Sequence, residues 1–214
     1  MAQVIIDDTN LSNIASAIRG KNGSNETYKP SEMAAAINDI KSGSESVDAF
    51  VARTITEIYS PSATWINAYC MSQFKQLESV YCPNVTSTGT EICSYCSALE
   101  YAYFPKLSTI PTKCFYQCSA LPKYECTEEN KQIQASAFYG CSKLETLILR
   151  RTESITSLSS SSALERTLID DGTGYIYVPS ALYGTYRNAT NWNIYKDQIR
   201  KIEEYPEICG EVAQ

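Results

Sequence analysis

The stretch Ala137-Phe138-Tyr139-Gly140-Cys141-Ser142-Lys143-Leu144-Glu145-Thr146-Leu147-Ile148-Leu149 holds the pattern from which the rest of the chain can be read. Earlier versions of its joint stand at Cys114-Phe115-Tyr116-Gln117-Cys118-Ser119-Ala120-Leu121 and at Cys96-Ser97-Ala98-Leu99. The leucine that closes each joint belongs to a column: Ile55, Leu77, Leu99, Leu121 and Leu144 follow one another at 22, 22, 22 and 23 residues. Ile66, Thr88, Ile110, Ile133 and Ile155 form a second column at 22, 22, 23 and 22. Pro61, Pro83 and Pro105 stand six residues after the first three anchors, with Thr127 and Arg150 taking that place later. A unit of this length cannot enclose its own apolar face, so five copies over residues 55 to 160 must stack and share a core.

After each anchor the side chains alternate, which predicts a short strand that ends at the proline. Val80 and Cys82, Ala102 and Phe104, Tyr124 and Cys126, and Leu147 and Leu149 point inward. Ser79 and Tyr81, Tyr101 and Tyr103, Lys123 and Glu125, and Thr146 and Ile148 point outward. The expected architecture is a right-handed solenoid with one parallel sheet along it.

The pattern Leu-x-x-Ile-x-Ile-Pro, then Ile, then Ala-Phe-x-x-Cys-Ser-x-Leu, resembles the BspA-type leucine-rich repeat, which is set apart by its Cys-Ser-x-Leu joint. Ala137 to Leu144 fit that joint almost residue for residue. The earliest copy, Cys70 to Leu77, departs from it with Phe74 in place of the joint cysteine. The resemblance implies an α/β repeat solenoid with a short parallel β-sheet.

The flanks carry different signals. Thr9 or Asn10 can cap a short helix with Leu11, Ile14 and Ile18 on one face, closed by Gly20. Pro30 suits the first position of a second helix with Met33, Ile37 and Ile40 on one face. This segment resembles a helical hairpin that recurs in tail-associated proteins of bacteriophages and prophages of Gram-positive hosts. A last strand at Ile176 to Val178 precedes Ser180 and helical segments carrying Tyr186, Trp192, Tyr195 and Ile199, an aromatic ending that hides the last core layer. That ending resembles the cap found with such repeats in phage proteins. The domain plan is a helical hairpin (1–41), a linker (42–47), a solenoid of about five repeats plus an irregular last coil (48–179), and a helical cap (180–214).

Composition narrows the function. The chain has 214 residues, no histidine, nine cysteines, sixteen tyrosines and a net charge of −6. Without histidine there is no Ser-His-Asp triad, Cys-His pair or HExxH zinc site. The carboxylate pairs Asp7-Asp8, Glu128-Glu129, Asp170-Asp171 and Glu203-Glu204 are sequence neighbours, better read as solvated turns than as acid and base. The chain is expected not to be an enzyme and to need no cofactor. It shows no basic stripe for nucleic acid and no apolar run long enough for membrane insertion. Met1 to Asn10 carry no signal-peptide pattern, so synthesis in the host cytoplasm is expected.

Eight cysteines fall in repeat columns. Cys70 and Cys114 share one with Ile92 and Ala137, and Cys93 shares another with Met71, Phe115 and Phe138. Cys96, Cys118 and Cys141 align with Phe74, while Cys82 and Cys126 align with Phe104 and Leu149. Mostly apolar company favours buried thiols over a zinc site. Disulfides stay open, because neighbouring coils stack at about 4.8 Å, within the Cα separation that a bridge tolerates.

The outward positions form a candidate binding face: Tyr81, Tyr101, Tyr103, Lys123, Glu125 and Ile148. Tyrosine supplies rigid contact area with a hydrogen-bonding tip, which suits recognition of protein or sugar. A subunit contact, or plain strand propensity, would also place tyrosine there. The resemblances imply a tail-associated virion protein whose hairpin residues Leu11, Ile14, Ile18, Met33, Ile37 and Ile40 attach it to other virion proteins. Its solenoid would then meet a host cell-surface protein or glycan, in a homo-oligomer. The alternatives are a capsid or baseplate decoration protein and a bacterial surface adhesin.

Overall fold

The structure, a computed structural model, describes residues 53–209. The expected hairpin and linker, with Leu11, Ile14, Ile18, Met33, Ile37 and Ile40, lie outside the described residues, as do residues 210–214. The chain divides into Met1–Ala52 and Arg53–Gln214, and the description below concerns the second unit alone.

Each coil contributes two short strands. The first set comprises β1 (Glu57–Tyr59), β3 (Ser79–Tyr81), β5 (Tyr101–Tyr103), β7 (Lys123–Cys126), β9 (Thr146–Leu149), β11 (Tyr175–Val178) and β12 (Ile199–Lys201). The second comprises β2 (Trp65–Ile66), β4 (Ser87–Thr88), β6 (Thr109–Ile110), β8 (Gln132–Ile133) and β10 (Ser157–Leu158). All pairings are parallel, and they follow the repeat: Val80 pairs with Ile58 and Ala102, and Leu147 with Tyr124 and Ile176. On the third side of each coil the backbone bonds forward, from the amide of Met71 to the carbonyl of Ile92, Cys93 to Cys114, Phe115 to Ala137 and Phe138 to Ala163. The chain therefore stacks coil on coil, as the spacing predicts.

The anchors fill the interior. Leu77, Leu99, Leu121 and Leu144 are fully buried, and Ile55 nearly so. A stack of rings runs through the middle coils, with Phe115 lying 5.3 Å from Phe138 and 5.0 Å from Tyr124. All nine cysteines are free thiols. Seven are buried, but Cys70 is exposed, against the expectation of a core thiol. It is the first member of its column, and the coil of Ile92 stacks on one side of it.

The joint cysteine has a physical reason. The thiol of Cys96 donates to the carbonyl oxygen of Met71, Cys118 to Cys93 and Cys141 to Phe115, each at 3.0 Å. Each sulfur thus ties its joint to the coil before it while filling a small apolar space.

Two prolines interrupt the ladders. Glu78, Glu100 and Glu145 donate their amides back to Thr56, Glu78 and Pro122, but Pro122 occupies the equivalent place with no N–H to give. The first sheet accordingly splits into β1-β3-β5 and β7-β9-β11-β12. Pro111 does the same to the second set. Gly89, Gln134 and Ser159 donate to Ile66, Ile110 and Ile133, whereas Pro111 cannot reach back, and β4 does not pair with β6.

Further expectations need correction, the first being the single sheet: each coil has two strands, and the two ladders break into four parallel sheets. Leu158, not Ile155, pairs with Ile133, because residues 150–156 form a wider turn before β10. Ile199 lies in β12, not in a helix; it pairs with Ile176 and extends the first sheet into the cap. The cap therefore has little helix: α1 (Tyr183–Asn188), α2 (Pro206–Cys209) and 3-10 turns at Ser180–Leu182, Asn193–Tyr195 and Ile202–Glu204. Its aromatic residues close the last core layer through hydrogen bonds. The indole of Trp192 donates to the carbonyl of Thr156 at 2.8 Å, and the phenol of Tyr186 accepts from the Thr156 amide at 2.8 Å.

Candidate functional site

The strip of outward tyrosines is built by strand register. Ile58, Val80 and Ala102 stand side by side in the sheet, so Tyr59, Tyr81 and Tyr103 stand side by side beyond it. Strand spacing of about 4.8 Å fixes the ring spacing. The Tyr59 and Tyr81 ring centroids are 5.3 Å apart at 16°, and those of Tyr81 and Tyr103 are 4.9 Å apart at 14°. Tyr101 joins from the neighbouring column, 6.4 Å from Tyr103. Tyr59 is 69% exposed and Tyr101 45%, so the strip is open at its outer rings.

Tyr59 extends the strip beyond the three tyrosines read from the sequence. Its signal was present, since it follows Ile55 at the interval by which Tyr81 follows Leu77. Burial, with smaller contributions from neighbouring phenols and Glu125, pushes the hydroxyls of Tyr101 and Tyr103 above the ordinary tyrosine range. They are neutral donors and acceptors throughout the physiological range.

At the next coils the surface becomes charged and is then covered. Arg150 pairs with Glu125 at 3.0 Å. Burial, aided by Arg150 and opposed by Glu125, draws the Lys123 ammonium below its ordinary value. Ile148, expected in the binding face, is fully buried. It points outward from the sheet as the alternation requires, but it shares a buried cluster with its strand neighbour Tyr177 and with Ile202 of the chain's own ending. The structure thus brings Tyr81, Tyr101 and Tyr103 together, sets Lys123 and Glu125 at their border, and removes Ile148 from the accessible face.

A second tyrosine group was not read from the sequence. On the turn side, Tyr116 stacks on Tyr139 at 5.1 Å and meets the edge of Tyr95 at 5.3 Å. Lys113 lies over Tyr116 and Arg166 over Tyr139, so these rings already carry cations. The recurring Phe-Tyr at 115–116 and 138–139 is the sequence signal for it.

Where Pro111 opens the second ladder, a cleft of about 260 Å³ lies between coils, lined by Thr86, Thr88, Leu107, Thr109, Pro111 and Gln134 among others. The Thr88 hydroxyl is buried without a partner there. Among the described residues, no group of three or more Cys, Asp or Glu could hold a metal ion, and no helix is long and apolar enough to cross a membrane.

The family follows from this geometry. Two parallel ladders, a bonded turn on the third side and joints that bury a leucine with a cysteine, or with Phe74 in the earliest copy, define a leucine-rich repeat. Residues 46–167 match the BspA type leucine rich repeat region in six copies, and the chain belongs to that family. The match counts six repeats where the leucine spacing alone gives five and an irregular coil. No curated protein matches the chain.

Proposed function

We propose that this chain is a non-enzymatic adhesion protein whose tyrosine strip is the recognition face, carried on a bacteriophage tail. The observation that supports adhesion is the strip itself: four tyrosines from three coils, ordered by strand register and open to solvent, in a family built of repeated surface units. Large aromatic patches of this kind mark interaction surfaces more often than idle ones. Support for the phage tail is the resemblance of the N-terminal segment and the ending to phage tail-associated proteins. In this reading the N-terminal segment attaches the chain to other tail proteins, and the chain assembles as a homo-oligomer.

The test replaces Tyr81, Tyr101 and Tyr103 by alanine. Binding of the protein, or of particles carrying it, to bacterial host cells is expected to fall at least tenfold, with the tail still labelled by antibody against the chain. Unchanged binding refutes the recognition face. Loss of particle assembly would make the strip a subunit contact and the protein a decoration component. Labelling of the bacterial envelope and not of particles would make it a surface adhesin.

A further inference from the structure

We propose a second binding site, for a single neutral sugar ring, in the cleft where Pro111 parts two coils. It is separate from the tyrosine strip, because it lies on the second strand set between β4 and β6. Two sequence differences build it. Thr88 stands in the inward column that Ile66, Ile110, Ile133 and Leu158 fill in other coils, so the core layer is short of an aliphatic side chain there. Pro111 has no N–H with which to draw its coil back. Gly89 meanwhile lets its own coil sit tight on the one before, since a Cβ there would collide with the Ala68 backbone. The coils meet again on either side of the opening. The Lys106 ammonium donates to the Asn84 Oδ1 at 2.7 Å, and the Glu91 amide donates to the Thr112 carbonyl at 3.1 Å. Between these two bonds lies the space of about 260 Å³.

The lining selects the ligand. Among the described residues, no Lys, Arg, Asp or Glu lines the cleft, so an ion finds no partner in it. The Thr88 hydroxyl is buried and unpaired. Gln134 accepts from the amide and the hydroxyl of Thr112 through its side-chain oxygen, which leaves its NH₂ group as a donor. Across the opening the Ser108 amide does not reach Thr86, and the Thr88 carbonyl faces a proline instead of an N–H. Donors and acceptors thus mix within one small space, against the buried apolar walls of Leu107 and Pro111. A group that accepts from one neighbour and donates to the next is a hydroxyl. A ring carrying several hydroxyls and bare C–H faces is a pyranose sugar. Pockets for drug-sized ligands start at about 300 Å³, so this cleft takes one ring and not an extended chain. Thr86, Ser87, Thr90 and Ser108 at the rim are exposed, so a ring seated here can stay linked to a longer glycan.

Thr88 also carries a cost that a purely structural position would avoid. Isoleucine serves this column in three other coils, whereas threonine leaves an orphan hydroxyl and a packing deficit. Stability given up at one position of a repeat is the usual mark of a site kept for binding.

The experiment uses the full chain and two variants, each checked by its melting transition. Thr88→Val removes the hydroxyl and keeps the shape, while Thr88→Ile restores the residue of the other coils and fills the floor. Glucose, galactose, mannose and N-acetylglucosamine are the probes, with glucuronic acid as the charged control, titrated by saturation-transfer NMR. At least one neutral sugar is expected to bind in the millimolar range, with glucuronic acid clearly weaker because nothing pairs its carboxylate. Thr88→Val should weaken binding about fivefold, the loss of one hydrogen bond. Thr88→Ile should abolish binding while raising the melting temperature; if it fails to fold, the loss in Thr88→Val decides. The Tyr81→Ala/Tyr103→Ala variant should bind the sugar as the parent chain does. No neutral sugar bound by the parent chain would leave the cleft to water and overturn the site. Binding indifferent to both Thr88 variants, equal binding of glucuronic acid, or binding lost only with the tyrosines overturns it as well. Methyl glycosides identify the source of the ring: an anomer that binds as the free sugar does marks the end of a glycan, and loss in both anomers marks a free sugar.

Discussion

At the scale of single residues, the interior mixes thiols, rings and aliphatic side chains in fixed columns, and one member is imperfectly satisfied. Tyr124 sits where Val80 and Leu147 stand in other coils, and its hydroxyl is buried without a hydrogen-bond partner. Its ring contributes packing against Phe115 and Phe138, while the hydroxyl loses its hydration. Leaving a polar atom unpaired in a core costs about 1–3 kcal/mol. Tyr124→Phe keeps the ring and removes the cost, so urea unfolding should show a stability gain of about 1 kcal/mol; a loss would mean that the hydroxyl has a partner in solution. The joint cysteines are the opposite case. Each fills a small buried volume and donates a hydrogen bond to a carbonyl of the coil before, which leucine could not do. Phe74 in the earliest copy fills the space without the bond.

At the scale of elements, the two prolines make the ladders discontinuous. Lys131 donates its amide to Ser108, and Ser157 to Lys131, but no such bond runs from the amide of Ser108 to Thr86, one coil back. Both breaks flank the coil that carries Tyr101 and Tyr103. Amide exchange reports local opening directly. The Ser108 amide should exchange at least tenfold faster than that of Lys131 in native-state exchange followed by NMR, and equal rates would show that the ladder closes across the Pro111 seam. These breaks were legible in principle, since Pro111 and Pro122 fall at fixed positions of the repeat. The lost pairings depend on which residue donates at each position, and that emerges from the folded backbone.

At the scale of the whole molecule, stability depends on the closed end and on keeping protons on buried groups. Trp192 is fully buried and ties the last coil to the cap through Thr156, with Tyr186 at 5.6 Å edge to face. Trp192→Ala should cost about 3–5 kcal/mol, the usual loss for a large buried aromatic, with a lower melting temperature as the readout. Burial pushes the thiols of Cys93, Cys114, Cys118, Cys126 and Cys141 well above the ordinary range, that of Cys82 up to about 11 and the Tyr186 phenol up to about 12. The unfolded chain releases these protons at lower pH than the folded one. The stabilising contribution is therefore complete below the ordinary thiol value of 9.0 and is lost as pH rises from there towards 11 and beyond. A melting temperature that stays level between pH 8 and 11 would contradict this.

The sequence by itself determined the repeat, the inward and outward alternation, the fate of most cysteines and the place of the tyrosine strip. All of these follow from a period near 22 residues combined with the two-residue period of a strand. Tertiary structure decided what the period cannot encode. Leu158 displaced Ile155 because the chain length between coils changes, and Ile199 became a strand because β11 offered it an edge. Ile148 points outward by local rule, yet it is buried by a segment more than fifty residues later in the chain. An outward direction is a property of one strand, whereas exposure is a property of everything that folds over it.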